Sequence, residues 1–183
     1  DNMDNKEKIH ENNEVGIING LYATNSGNGG IVPIQIFKNI NQSNDPQNQL
    51  VLTGSQGDTM KESVTCSLTC AKQFLQRALN NPKFEKLFKN KIDNLEEYLI
   101  SNFKSGFHVH TPSTATPKDG PSAGCAFTCA FISRILNIPI KNTIAMTGEI
   151  ELTGRITKIG GLVYKLTGAK KAGVKEVFIC DHN

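Results

Sequence analysis

The chain has 183 residues, of which 38% are hydrophobic and 20% charged, and its formal net charge is +3. That size and composition suit one folded domain with a modest core. No Lys/Arg block with interleaved aromatics occurs, so a nucleic-acid partner is not indicated. No apolar run is long enough to span a bilayer, so a membrane is not indicated either.

The polar, acidic N-terminus is neither a secretory signal nor an Arg-rich transit peptide, and a start at Asp1 reads as a processed or excised piece. Residues 1–13 have almost nothing to bury and are expected to be disordered, leaving a folded domain over 14–183. Residues 15–23 read as a strand, 25–30 as a Gly-rich turn and 31–37 as the second strand of a hairpin. Residues 38–48, Asn/Gln-rich with Pro46, read as a surface loop. Within it Asn41-Gln42-Ser43 matches a glycosylation acceptor, with no other sign of secretion. Leu50-Val51-Leu52-Thr53 is a third strand.

Gly57-Asp58 opens a long helix. Its Met60, Val64, Leu68, Ala71, Leu75 and Ala78 form one apolar stripe, the mark of a core-facing side. Asn80-Asn81-Pro82 ends it. Residues 83–104 carry one or two short amphipathic helices, and 80–105 reads as an Asn-rich insertion rather than core. Phe107-His108-Val109-His110 is a strand on which both histidines point the same way. Ser122 to Asn137 reads as a helix apolar nearly all round, hence central. Residues 143–152 and 155–159 form a hairpin about Thr153-Gly154. Gly160-Gly161 precedes a helix over 162–172 that Gly173 ends, and Val177-Phe178-Ile179-Cys180 is a last strand. The pattern is α+β: one domain with helices packed on a mixed sheet.

Cys66/Cys70 and Cys125/Cys129 are i,i+4 pairs on predicted helices, and Cys180 is the fifth cysteine. The four histidines are not arranged to complete a tetrahedral site, so no metal is expected. An odd set of helix-borne thiols reads as small buried side chains in a reducing compartment.

The chemistry concentrates in Thr116-Pro117-Lys118-Asp119-Gly120-Pro121-Ser122-Ala123-Gly124. Asp119 is placed to cap the following helix, and Pro121 fits its first turn. Ser122 would then stand where backbone N–H groups point outward, which suits a nucleophile whose attack creates an oxyanion. A nucleophilic serine needs a base. His10 and His182 lie near the termini, while His108 and His110 share a strand. A lysine is the other option, provided that burial keeps it neutral. Lys165 has apolar neighbours on its helix, although most helix lysines are solvated, so spacing alone leaves the base open. Ser101-Asn102-Phe103-Lys104 matches a Ser-x-x-Lys pattern but lacks that pattern's companion motifs.

Pro117-Lys118-Asp119-Gly120-Pro121-Ser122-Ala123-Gly124 resembles the active-site signature of the A-type Lon proteases. Ala145-Met146-Thr147-Gly148-Glu149-Ile150 is similar to a second family motif, and Ile159-Gly160-Gly161-Leu162 followed by Lys165 to a third. The Ser122-to-Lys165 separation, His108-Val109-His110, and Thr53-Gly54-Ser55-Gln56-Gly57 with Met60-Lys61-Glu62-Ser63 agree as well. The resemblance runs from about residue 15 to 180. It implies the Lon proteolytic-domain fold, with a ribosomal-protein-like topology, and an endopeptidase working by a Ser-Lys dyad. Ser122 would be the nucleophile and Lys165 the general base. Thr147 would hold the lysine amine, and Gly160 and the Ser122 N–H would be oxyanion donors. Asp119, His108 and His110 would shape the site, Asp119 doubling as a gate.

The resemblance also implies a longer chain with an ATP-driven AAA+ unfoldase, a homo-hexamer, and unfolded or damaged polypeptides as substrates. No cofactor is expected in this domain. ATP and Mg would belong to the AAA+ part, whose phosphate-binding loop has no counterpart here. The family's final strand and helix are expected to be missing. The mitochondrial matrix is the implied location, with a bacterial cytoplasm as the alternative. Val163-Tyr164 replaces a Lys-Glu pair, and Gln35 replaces a glutamate bordering the substrate groove. These departures keep open a catalytically impaired, Lon-like ring-assembly module.

Overall fold

The structure is a computed structural model that describes residues 7–39, 49–88, 93–113 and 115–183. The Asn41-Gln42-Ser43 acceptor and most of the 38–48 loop lie outside them. In chain order the elements are β1 (Glu14–Val15), β2 (Ile17–Ala23), β3 (Gly29–Asn39), β4 (Leu50–Thr53), α1 (Asp58–Leu79), α2 (Pro82–Phe88), α3 (Leu95–Phe103) and β5 (Gly106–His110). There follow α4 (Gly124–Leu136), β6 (Pro139–Ile140), β7 (Ile144–Met146), β8 (Glu149–Ile150), β9 (Ile156–Thr157), α5 (Leu162–Ala172) and β10 (Glu176–Phe178).

Six strands form one mixed sheet in the order β10-β7-β2-β3-β5-β4. β2–β3 and β3–β5 are antiparallel, while β10–β7, β7–β2 and β5–β4 are parallel. Side chains alternate across strands, so β2 and β3 feed two separate cores. Ile18, Ile34 and Ile36 point to one face, where Val64, Ala71 and Leu75 of α1 and Phe127, Phe131 and Ile135 of α4 cover them. Leu21 and Ile31 point to the other, under Ala169 and Ala172 of α5. The sheet therefore holds α4 and α5 on opposite sides.

Four expectations need correction. Residues 7–13 are not a loose tail. The Ile9 N–H donates to Ala172 O at 3.0 Å, its side chain packs on the α5 core, and Asn13 Oδ1 accepts from the Asn142 N–H at 2.9 Å. One apolar residue in a polar stretch suffices when a groove waits for it. Next, α2 and α3 are part of the fold. Leu99 is fully buried, and Phe84, Phe88, Tyr98 and Phe103 pack with it against the main core. Their apolar residues recur at helical spacing despite the Asn-rich surroundings. The expected 143–159 hairpin is divided. β7 joins the main sheet, whereas β8 and β9 pair apart as a two-stranded ribbon. Finally, α4 begins at Gly124, two residues later than expected, because the chain from Pro121 to Gly124 makes a tighter turn, with the Gly124 N–H on Pro121 O at 3.2 Å.

Candidate active site

Ser122 sits in that turn, half-exposed, just before α4. Its backbone is fixed by the segment between β7 and β8. The Gly148 N–H donates to Ser122 O at 2.7 Å, and Gly148 O accepts from the Cys125 N–H at 3.0 Å. One residue thus grips the serine turn from both sides. A Cβ at Gly148 would stand 2.6 Å from Ile156 Cγ2, so only glycine lets this segment come so close to β9.

Lys165 lies in the first turn of α5, and the Lys165 N–H closes that turn on Gly161 O at 3.0 Å. Glycines seat the helix. A Cβ on Gly168 would fall 2.1 Å from the Gly29 carbonyl carbon, and one on Gly29 would fall 2.0 Å from Tyr164 O. The backbones of α5 and the β2–β3 hairpin are therefore in contact, which drives the Lys165 side chain inward. It is only 5% exposed. Burial pushes its amine below the ordinary value of 10.5, and among the described residues no carboxylate pairs with it. Its Nζ donates to Thr147 Oγ1 at 3.4 Å. Thr147 is itself buried, with its N–H on Phe178 O at 3.1 Å, so β10 positions the residue that orients the lysine.

Ser122 and Lys165 face one cavity of about 650 Å³. Its walls are the ends of β2 and β3, Met60 of α1, and a loop including Pro112, Thr116 and Lys118. Among the described residues no hydrogen bond joins Ser122 Oγ to Lys165 Nζ.

The other site residues are spread around this centre. The Asp119 carboxylate caps α1, not α4: its Oδ1 accepts from the Met60 N–H at 2.9 Å and the Gly120 N–H at 2.8 Å. These bonds hold its carboxyl below the usual 3.8. The fit requires glycine at position 57, where a Cβ would meet the carboxyl carbon at 2.3 Å. Asp119 lines the cavity but is engaged at α1 rather than on Lys165. His108 Nε2 and His110 Nδ1 both bond Thr53 Oγ1, at 2.8 and 2.6 Å, outside the cavity. Gln35 pairs with His110 across β3 and β5, also outside it. Gly160 is exposed ahead of α5 and is not part of the cavity wall.

A family model described as the Lon protease (S16) C-terminal proteolytic domain matches residues 2–183. The chain belongs to this family. It is 54% identical over 179 residues to the "Lon protease homolog" of Acanthamoeba polyphaga mimivirus, covering 97% of the chain and 16% of that protein. It is 38% identical over 167 residues to "Lon protease 2" of Thermus thermophilus, covering 91% and 18%. It is 35% identical over 178 residues to the "Lon protease homolog, mitochondrial" of Caenorhabditis elegans, covering 97% and 17%. The chain thus spans under a fifth of the length of these relatives, which include bacterial and mitochondrial proteins.

As a Lon proteolytic domain, the chain has a mixed α+β architecture that places its motif residues from three directions. The turn before α4 brings Ser122, the β7–β8 connection brings Thr147, and α5 brings Lys165. A buried amine beside a hydroxyl acceptor can take a proton, and a serine at a helix start can attack a carbonyl. The cavity walls from β2 and β3, including Tyr22, Val32 and Pro33, were not singled out from sequence. Residues of a strand end carry no local mark of what their far side faces. For Lys118 the sequence carries one signal, its position inside the serine motif.

Proposed function

We propose that this chain is the serine endopeptidase domain of an ATP-dependent Lon protease, acting through Ser122 and Lys165. The observation that carries the reading is the Lys165 amine, buried, without a counter-ion among the described residues, held by Thr147 and opening on the same cavity as Ser122. An amine in that setting favours its neutral form, which a general base needs.

In this reading neutral Lys165 takes the proton from Ser122 Oγ as the oxygen bonds to the peptide carbonyl carbon. The carbonyl oxygen becomes an oxyanion facing the Ser122 N–H at the start of α4. The Lys165 ammonium then gives its proton to the leaving amine, the C–N bond breaks, and an ester links Ser122 to the acyl half. Water, deprotonated by Lys165, attacks that ester and restores the serine. β5 pairs with β3 only from Gln35 to Asn39, so the edge of β3 at Ile31 and Val32 borders the cavity without a β5 partner. An extended substrate can lie along that edge through main-chain bonds, which suits varied sequences.

Unfolded or damaged polypeptides are the proposed substrates, delivered by an AAA+ part that uses ATP and Mg in a homo-hexamer. The five free thiols suit a reducing compartment, the mitochondrial matrix or a bacterial-type cytoplasm. The test is covalent labelling by a peptidyl phosphonate, with the modified residue located by mass spectrometry. Labelling at Ser122, with peptide cleavage reduced about 10³-fold or more by Ser122→Ala or Lys165→Ala, is expected. An unlabelled, inactive protein would leave the ring-assembly module in its place.

A further inference from the structure

Lys118 precedes Asp119 in the serine motif but does not point at the chemistry. Its Nζ meets three backbone carbonyls: Gly54 O at 2.8 Å, Thr116 O at 2.7 Å, and Ser113 O. Two of these belong to the loop leaving β5 and the third to the connection from β4 to α1. An ammonium has three donors and no acceptor, so the three carbonyls satisfy its hydrogen bonds, with the Glu7 carboxylate as an opposite charge nearby. The same loop supplies Pro112, Ser113, Thr116 and Pro117 to the wall of the cavity that the β2–β3 ends also line.

We propose that Lys118 is a positioning residue for peptide binding, clamping the cavity wall made by Pro112, Ser113, Thr116 and Pro117 to the β4–α1 connection. This rests on the peptidase reading above. Ser122 is held by other means. The Lys118 backbone pairs with the β4–α1 connection independently of its side chain, with its N–H on Ser55 O at 3.0 Å and its carbonyl accepting from the Gly57 N–H at 2.7 Å. Gly148 then fixes Ser122 itself. Losing the side-chain clamp should loosen the wall while the nucleophile stays in place. Charge alone does not replace it, because a guanidinium spreads its donors over a larger plane and does not fit the point on which the three carbonyls converge.

The experiment is steady-state cleavage of a fluorogenic peptide by the wild-type protein, Lys118→Met and Lys118→Arg. In parallel, Ser122 inactivation is timed with a small sulfonyl fluoride that does not span the cavity. Both variants are expected to raise KM about fivefold or more, keep kcat within about threefold, and leave the inactivation rate unchanged. Wild-type KM in both variants would overturn the clamp. So would a loss confined to kcat, which would place Lys118 in the support of Ser122. Should Lys118→Met fail to fold, Lys118→Arg decides, and a wild-type KM in it rejects the proposal. A wild-type protein that neither cleaves nor is labelled would defeat the peptidase reading and the clamp with it, whereas a cleaving enzyme whose KM ignores Lys118 defeats the clamp alone.

Discussion

Burial removes water from the Lys165 ammonium and, among the described residues, supplies no carboxylate in exchange, so the side chain that the proposed chemistry needs is also a burden on the fold. The folded protein releases this proton at a lower pH than the unfolded chain, whose amine titrates near 10.5. Between those two values the unfolded state binds more protons, so stability rises with pH. Below the folded value the whole cost is present. Lys165→Met is therefore expected to be inactive yet more stable at pH 7. The rise in Tm should be roughly 2–4 °C, the shift that about 1 kcal/mol makes in a chain of this size. The gain should shrink toward pH 10, which calorimetry at the two pH values would check, and a Tm below wild type at pH 7 would contradict it. Activity runs the same way, with kcat/KM climbing as Lys165 loses its proton.

Helix α5 shows how small residues position a large one. Gly168 to Ala would ordinarily strengthen a helix by about 1 kcal/mol. Here the new Cβ would lie 2.1 Å from backbone atoms of Gly29, and backbone cannot swing aside as a flexible side chain does. Overpacking of this kind costs about 1–3 kcal/mol, so the clash outweighs the propensity. Gly168→Ala is expected to lower Tm and, by tilting α5 off the hairpin, to lower kcat through Lys165 and Thr147. A more stable, fully active variant would refute this account. The long helices were legible from sequence, because α1 and α4 carry continuous apolar faces that only a core satisfies. The β7–β8 break was not. Ile144 to Ile150 reads as one β-rich run, and the division at Thr147-Gly148 comes from Gly148 turning aside to hold the Ser122 turn. The helix that Asp119 caps is hidden in the sequence for a related reason. A carboxylate between two helix starts can cap either, and only the approach of Gly57 made α1 its partner.

The chain as a whole is tied together at its N-terminal end. Ile9 lies against Gly173 at the end of α5, and Asn142 bonds both Asn13 and His10 O. Removing residues 1–13 is expected to uncover the core beneath α5 and to lower Tm by roughly 2–4 °C. A disordered tail would leave Tm unchanged, so thermal unfolding of the shortened chain separates the two pictures.

From residues alone the serine motif, the α+β class and the family resemblance could be read, and it was the resemblance that singled out Lys165. Each is written in local order: a turn with Gly and Pro at set places, a spacing, a periodic face. The setting that makes the chemistry plausible could not be read that way. Whether Lys165 is solvated or buried depends on Gly29 meeting Gly168. Which helix Asp119 caps depends on Gly57, and what Lys118 grips depends on carbonyls of two other segments. Those are contacts between backbones distant in sequence, and a backbone atom presents the same chemistry at every position. Its neighbours appear only when the chain has folded.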